Sequence, residues 1–183
     1  MHRRPLLDSL AAYVPSTPRE ARSRDRIESF VHEHADCFER SLVVGHVTGS
    51  AWVVCPQRRR VLLTHHRKLD LWLQLGGHCD GDADVAGVAH REALEESGLS
   101  DVRALTDGIF DVDVHLIPAR PGEPEHFHHD VRFLFEADPA APLVLSAESK
   151  ALAWVDIAAV GDLSIDESVM RMVAKTGPRE RGA

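Results

Sequence analysis

Apolar residues in the first 40 positions recur at the spacing of helices rather than of strands. The first set ends near Pro15, which interrupts a helix. The run 17–20, Thr-Pro-Arg-Glu, is a helix start in which threonine caps the helix and proline occupies its first turn. Two N-terminal helices are therefore predicted. Their buried faces carry Leu6, Leu7, Leu10, Tyr13, Ile27, Phe30 and Val31.

From residue 41 the pattern changes to β-branched and alternating residues, which is typical of strands. One later segment, residues 84–97, has helical spacing and ends at Gly98, a residue type that commonly terminates helices. A last helix is predicted over residues 165–174. The predicted strands cover residues 41–55, 61–64, 72–75, 102–116, 127–136 and 151–155.

This succession of elements predicts an α/β fold, a sandwich built on a mixed sheet with helices on both sides. A length of 183 residues fits one domain of ordinary size with an N-terminal extension. We therefore expect a helical extension over residues 1–40 and an α/β domain over residues 41–183.

Composition and charge narrow the class of protein. The hydrophobic fraction of 44% is enough for a full core, and a net charge of −8 argues against a nucleic-acid polymer or an anionic membrane as the main partner. The three cysteines form no CxxC pair, which indicates free thiols in a reducing compartment. Neither a membrane-spanning run nor an apolar signal segment is present in the sequence, so we expect a cytoplasmic protein.

Three acids lie close together on the helix that ends at Gly98. Glu92, Glu95 and Glu96 fall within one sector of about 100°, and the stripe that contains them is apolar at both ends. If the helix packs by this stripe, its carboxylates point inward and need a counter-charge such as a divalent cation. Oxygen ligands favour Mg²⁺ or Mn²⁺ over zinc. The alternative is a solvated acidic face.

Arg91 lies directly beside these acids and can hold Glu92 through a bidentate ion pair. Hard cations bound by carboxylates activate water and neutralise charge on phosphate oxygens. The residues alone therefore favour metal-assisted hydrolysis of a phosphorylated small molecule, without identifying that molecule.

The stretch from Gly77 to Leu99 resembles the Nudix box, G-x5-E-x7-R-E-U-x-E-E-x-G-U, in which U is aliphatic. The strand order around it and the segment from Glu148 to Trp154 are also typical of that family. The resemblance implies a Nudix-type α/β/α sandwich and a pyrophosphohydrolase. Its substrate would be a nucleoside diphosphate linked to another moiety X, or a similar small organic diphosphate. The matching positions are Gly77, Arg91, Glu92, Ala93, Glu95, Glu96, Gly98 and Leu99.

The same resemblance implies roles for individual residues. Glu95 and Glu96 correspond to the principal metal ligands, and Glu92 to a further ligand or a base. Arg91 would organise Glu92, and the carbonyl of Gly77 would complete the metal site. Because the family often takes its base from a later loop, Glu148 is the candidate base; the alternative is an ordinary surface acid.

One position departs from the box. Its first glutamate falls on Ala83, which cannot bind a metal ion. Asp82 lies one residue earlier and is predicted to take over that role, within a loop that also contains Asp80 and Asp84. Alternatively, one metal position is weakened and the enzyme is slow or inactive.

Residues outside the box are candidates for contact with substrate. His65 and Arg67 precede the glycine pair and are predicted to meet the anionic end of a substrate, unless they form a solvated loop. His129 belongs to a second cluster, for which we expect phosphate contact or proton transfer, or else a polar strand end. Alternation along a strand places His128 and Asp130 on one face and His129 on the other.

Two other functions stay open. Ala83 is compatible with a non-catalytic, nucleotide-binding or regulatory Nudix domain. The run Gly77-His78-Cys79 is weakly similar to the cysteine loop of isopentenyl diphosphate isomerases, which share the fold. The N-terminal helices would either cover the site or form a homodimer interface.

Overall fold

The computed structural model describes residues 2–147, 149–163 and 166–177. They belong to two compact units. The first unit is drawn from Met1–Ser50, Gly76–Ala89 and Thr106–Phe133. The second unit is drawn from Ala51–Leu75, His90–Leu105 and Leu134–Ala183. Each unit is built from segments that are distant in sequence.

Helices and strands both contribute to the fold, with the strands in two runs that are separated by α3. Within the described residues, the strands pair in the order β3-β2-β1-β7-β5, while β4 pairs with β1, β6 with β7 and β8 with β2. The elements in chain order are α1 (Arg4–Ala12), α2 (Pro18–Glu33), β1 (Gly45–Val54), β2 (Arg60–His66), β3 (Trp72–Leu73), β4 (Leu75–His78), α3 (Val85–Ser97), β5 (Arg103–Ala104), β6 (Asp111–Ile117), β7 (His126–Glu136), β8 (Ser149–Asp156), a 3₁₀ helix (Ile157–Leu163) and α4 (Glu167–Thr176).

The sheet is mixed, as predicted. Phe127 N donates to Val44 O (3.2 Å) and Ala137 N donates to Val54 O (3.1 Å), so β7 runs parallel to β1. The pairs β1–β2, β2–β3, β2–β8, β5–β7 and β6–β7 are antiparallel. The α/β class is therefore confirmed.

Both N-terminal helices form where the sequence predicts them. Thr17 caps α2, because its hydroxyl accepts a hydrogen bond from Glu20 N at 3.2 Å. Arg3 donates to the carbonyls of Val31 (2.5 Å) and His32 (3.0 Å) at the opposite end of α2. A cation at this end is favourable because the last carbonyls of a helix carry partial negative charge. The two contacts fasten α1 to α2 within the first unit.

In the second unit, β2 lies between β3 and β8. Trp52 of β1 is fully buried there, and its Nε1 donates to the hydroxyl of Thr176 at 2.7 Å. Asp166 caps α4 by accepting from the backbone N–H of Ser168 (2.8 Å) and Val169 (3.0 Å). These contacts place α4 on the core of the second unit.

Two segments are organised differently from the predictions. The strand predicted over residues 102–116 is interrupted between β5 and β6, where residues 106–108, Thr-Asp-Gly, favour a turn. The glycine pair predicted after the third strand lies inside β4 instead. A side chain at Gly76 would place its Cβ 2.4 Å from Ser50 Oγ, so only glycine allows this close approach of β4 to β1.

Candidate functional site

Helix α3 carries the acids of the box and ends as predicted. Gly98 has a φ of +69°, and its N–H donates to Leu94 O at 2.9 Å, which terminates the helix with a left-handed glycine. Glu92 and Glu96 are half-buried, whereas Glu95 is exposed. A carboxylate in such positions remains accessible to a hydrated cation.

The expectation that all three carboxylates point into the interior is wrong. The buried stripe of α3 passes through Ala89, Ala93 and Ser97, which are fully buried and four residues apart. Glu92 and Glu96 flank this stripe, and Glu95 lies farthest from it. Val85 and Val88 are also buried in the first turns, but beyond them the core face consists of small residues, which give a weak hydrophobic signal in the sequence.

The loop before α3 is organised by its own carboxylates. Asp84 Oδ1 accepts from Gly87 N (3.0 Å), and Asp82 Oδ1 accepts from Asp84 N (3.0 Å). Asp80 pairs with Arg40, and this hydrogen bond lowers the pKa of Asp80. Asp82 and Asp84 are exposed, so the loop presents acids to solvent while it begins the helix.

Ala83, which replaces the first glutamate of the box, lines a cavity of about 270 Å³ in the first unit. Leu6 of α1 and Phe133 of β7 line the same cavity. The methyl group of Ala83 therefore lies beside apolar side chains. The role predicted for Asp82 in its place stays a prediction, as does that of the Gly77 carbonyl.

The predicted substrate residues of the second unit bind other parts of the protein. Arg67 donates to the carbonyls of Ala147 (3.0 Å) and Ser149 (2.9 Å), so its guanidinium supports the start of β8. His65 Nε2 lies 2.8 Å from Asp70 Oδ1, and its ring stacks on Trp72. The predicted base, Glu148, lies outside the described residues.

His129 lies apart from its neighbours in sequence. It is buried, and its ring stacks on Phe30 of α2 with centroids 3.8 Å apart. With Arg26 and His34 it lines a cavity of about 370 Å³. Burial, followed by the charge of Arg26, lowers the pKa of His129 to about 3, so the ring is neutral at physiological pH.

The opposite face of β7 carries a buried ionic network. Asp130 accepts from Thr48 Oγ1 (2.9 Å) and Ser50 Oγ (2.7 Å) of β1 and from Arg132 Nε (2.7 Å). Arg132 NH1 also lies 3.3 Å from Asp111 of β6. Burial would lower the pKa of Arg132, but the surrounding carboxylates, Asp130 first, raise it above its usual range. The guanidinium is therefore held in its charged form.

Histidines from several strands meet on this same face of the first unit. Three of them, His46, His78 and His128, each contribute one ring nitrogen, and these three nitrogens lie within 4.8 Å of one another. His126 and His115 adjoin them, with ring centroids 5.1 Å and 5.4 Å from His128. Two carboxylates adjoin these histidines: Asp113 lies 3.4 Å from His115 Nδ1, and Glu123 lies 3.9 Å from His126 Nε2.

The rings of His46, His78 and His128 are neutral at physiological pH. Burial, followed by the neighbouring histidines, lowers the pKa of His46 to about 4. Burial is likewise the main cause that lowers the pKa of His128 to about 2 and the pKa of His78. Neutral imidazole is the form that binds metal ions, whereas charged imidazolium binds anions.

Strand alternation predicts that His128 and Asp130 lie on one face of β7 and His129 on the other, and the structure agrees. The histidine group itself is not among the predictions, because no local pattern connects His46 and His78 with His128. A signal exists: polar residues alternate along β1, β6 and β7 at positions 46/48/50, 111/113/115 and 126/128/130/132. Where such strands are neighbours in one sheet, these polar residues lie side by side on the same face.

An α/β fold whose helix presents the carboxylates of a Nudix box defines a class of metal-dependent phosphohydrolases. A sequence model of the NUDIX domain matches residues 45–174. The chain therefore belongs to the Nudix family. The recognition of the family is confirmed, and the assignment as a Nudix-type pyrophosphohydrolase is confirmed at the level of the family.

Solved structures of hydrolases share the fold. The Ap4A hydrolase of C. elegans, in a binary complex, has a TM-score of 0.57 at 15% identity, covering 70% of this chain and 93% of that chain. The dihydroneopterin triphosphate pyrophosphohydrolase of E. coli has a TM-score of 0.54 at 18% identity, covering 70% and 92%. RenU, a Nudix hydrolase of M. smegmatis, has a TM-score of 0.54 at 21% identity, covering 75% and 91%. A search of curated proteins finds no match.

Among the described residues, helices are too short or too polar to cross a membrane.

Proposed function

We propose that this chain is a divalent-metal-dependent hydrolase. It would cleave the diphosphate bond of a nucleoside diphosphate linked to another moiety X, or of a similar small organic diphosphate. The observation that supports this proposal most is the position of residues 91–96 on α3, in register with the box of a family to which the chain belongs. The proposed cellular location is the cytoplasm.

The acids of α3 fit a hard cation. Glu95 is exposed and Glu96 is half-buried one residue later, so both carboxylates can reach an ion that keeps part of its hydration shell. Mg²⁺ binds in this manner, through one or two carboxylates together with water and phosphate oxygens, and Mn²⁺ accepts the same ligands. Glu95 and Glu96 would hold the ion, and Glu92 would be a third ligand or a base.

A bound cation would neutralise charge on the phosphate oxygens of the substrate. The other tasks belong to side chains of the protein. Arg91 is half-buried next to Glu92 and would limit the orientations of that carboxylate. Glu92 is half-buried on the same helix and would act as a third ligand or as the base that activates water.

The chemical class of the substrate follows from the family and from the neighbours. Two structural neighbours are named for Ap4A and for dihydroneopterin triphosphate, which both contain phosphoric anhydride bonds. The base, the sugar and the X group of the substrate of this chain are open.

A substrate panel tests the proposal directly. The protein, freed of metal with a chelator, is incubated with ADP-ribose, dinucleoside polyphosphates, NADH and nucleoside triphosphates, each with Mg²⁺, with Mn²⁺ or with chelator. Chromatography of the products identifies the bond that is cleaved. We expect cleavage of at least one diphosphate with either metal and none with chelator; turnover that is equal with chelator would refute metal dependence.

A second candidate function is nucleotide binding without catalysis. The observation that favours it is the apolar environment of Ala83, where the box has a glutamate. This function predicts that calorimetry detects binding of a panel compound while product analysis detects no cleavage at any metal concentration. Turnover of that compound excludes it.

The isomerase interpretation receives less support. It requires an accessible cysteine next to the Gly-His pair, but Cys79 is only 1% exposed. A thiol that is enclosed in this way is inert towards a substrate in solution. Conversion of isopentenyl diphosphate without phosphate release would restore this interpretation.

A further inference from the structure

The histidine group of the first unit spans four neighbouring strands. One histidine each comes from β4 (His78), β1 (His46), β7 (His128) and β6 (His115), in the order in which these strands pair. His115 and His128 are directly opposite each other across the antiparallel pair β6–β7. The side chains therefore project from one face of the sheet at adjacent positions, where the strand backbones hold them in place.

Three of these rings are close enough to share one ion. Their ring nitrogens lie within 4.8 Å of one another, and the centroid separations around His46 are 4.9 Å to His78 and 4.8 Å to His128. A tetrahedral Zn²⁺ with bonds of about 2.0–2.1 Å requires nitrogen–nitrogen separations of about 3.4 Å. Binding of the ion would therefore require the ring nitrogens to move closer together through rotation of the side chains.

A second observation points to a ligand independently of the spacing. His46 is 3% exposed, and neither of its ring nitrogens has a hydrogen-bond partner among the described residues. A neutral imidazole has one N–H donor and one lone pair, and folded proteins rarely leave both buried and unused. A metal ion that accepts the lone pair of His46 explains why a histidine occupies this site.

We infer that His46, His78 and His128 form a binding site for a divalent transition-metal ion, with Zn²⁺ as the best-suited ion. Imidazole nitrogen is a borderline ligand that suits zinc, whereas Mg²⁺ prefers oxygen. The site is therefore chemically different from the acids of α3.

His126 would be a positioning residue rather than a ligand. Its Nδ1 is 2.8 Å from the carbonyl of Pro124, which can only accept, so that nitrogen carries the proton. Its other nitrogen, Nε2, lies 3.3 Å from His128 Nε2, within hydrogen-bond distance. This chain of hydrogen bonds orients the ring of His128, as the partners of metal-binding histidines commonly do.

Zinc binding to tag-free protein tests the inference. The protein is stripped with a chelator and titrated with Zn²⁺ in competition with a chromophoric chelator, and Co²⁺ is added separately to record the visible spectrum of its coordination geometry. We expect one Zn²⁺ per chain. H46Q, H78Q and H128Q are each expected to weaken binding by at least about 100-fold, since even the loss of a hydrogen-bond partner of a ligand costs 10–100-fold.

The controls separate this site from the acids and from general surface binding. H115Q removes the adjacent histidine in the same row and is expected to change the affinity less than about tenfold, as is E95Q/E96Q. Circular dichroism establishes that each variant is folded, and H78Q, at a half-buried position, provides the test if H46Q fails to fold. Absence of binding to the wild type overturns the inference. So does equal affinity in H78Q or H128Q, or loss of Zn²⁺ in E95Q/E96Q alone.

Discussion

Asp130 accepts three hydrogen bonds in the interior of the first unit, and its replacement by alanine is the perturbation with the most direct energetic consequence. The variant would leave the guanidinium of Arg132 without its nearest carboxylate, at 2.7 Å, and the hydroxyls of Thr48 and Ser50 without their acceptor. Asp111, at 3.3 Å from the guanidinium, remains as a partial counter-charge. The perturbation therefore creates a buried charge that is only partly compensated.

Removing one partner of a buried ion pair costs about 3–5 kcal/mol in the free energy of unfolding. Because Asp111 remains beside Arg132, we expect Asp130→Ala to lower the free energy of unfolding by about 3 kcal/mol, the lower end of that range. Small proteins are stable by about 5–15 kcal/mol in total, so a change of this size is readily visible.

Urea denaturation, followed by circular dichroism, measures this change as a shift in midpoint at constant slope. Asp8→Ala provides the matched control, since Arg4 Nε and Asp8 Oδ1 are also 2.7 Å apart but the Asp8 side chain is 59% exposed. Exposed pairs of this kind contribute less than about 0.5 kcal/mol. If Asp130→Ala destabilised the protein no more than Asp8→Ala, the buried network would not stabilise the fold as described.

Two further predictions concern packing and thiols. Gly76→Ala places a Cβ 2.4 Å from Ser50 Oγ and is expected to lower the free energy of unfolding by about 1–3 kcal/mol. The control Gly108→Ala, with open space around it, is expected to leave the urea midpoint unchanged within error. Equal midpoints for the two variants would contradict the close approach at Gly76. Burial raises the pKa of Cys37 to about 11, so at pH 8 roughly one molecule in a thousand carries its thiolate. Because all three cysteines are buried, a disulfide reagent should detect no thiol in the native protein. In denaturant the same reagent should detect Cys37, Cys55 and Cys79.

Local signals in the sequence were sufficient for most of the secondary structure. Thr17 and Gly98 delimit helices because their preferences depend on the backbone beside them, and both act in the structure as predicted. Strand β7 was predicted at 127–136 and begins at His126, one residue earlier. Such features require no knowledge of distant segments.

Features that depend on pairing between distant segments were not predictable in the same way. Gly76 lies inside a strand because Ser50, far from it in sequence, approaches its backbone. The buried face of α3 uses Ala89, Ala93 and Ser97, whose small size gives a weak hydrophobic signal. The histidine group forms only because β4, β1, β7 and β6 are neighbours, and a sequence does not state that order.

The candidate site residues were predicted from two kinds of signal, a motif with a fixed spacing and residue type alone. The acids of α3 were recognised from a motif with a fixed spacing, which one helix is enough to satisfy. His65, Arg67 and His129 were selected by residue type, and the structure gives each of them a partner in its own unit. The functional roles of both sets of residues stay predictions.

The central claim is that the carboxylates of α3 hold the metal ion for cleavage of a diphosphate. The most direct test compares hydrolysis of the best panel substrate, with Mg²⁺, by the wild type and by E95Q/E96Q. Glutamine preserves the shape of both side chains but removes the charges that bind the cation. D101N is the matched control, at an exposed acid just beyond the end of the helix. We expect kcat to fall by at least about 100-fold in E95Q/E96Q and to be unchanged in D101N. A factor of about 100 corresponds to a loss of about 2.7 kcal/mol in transition-state stabilisation. Wild-type turnover in a folded E95Q/E96Q protein would contradict the central claim.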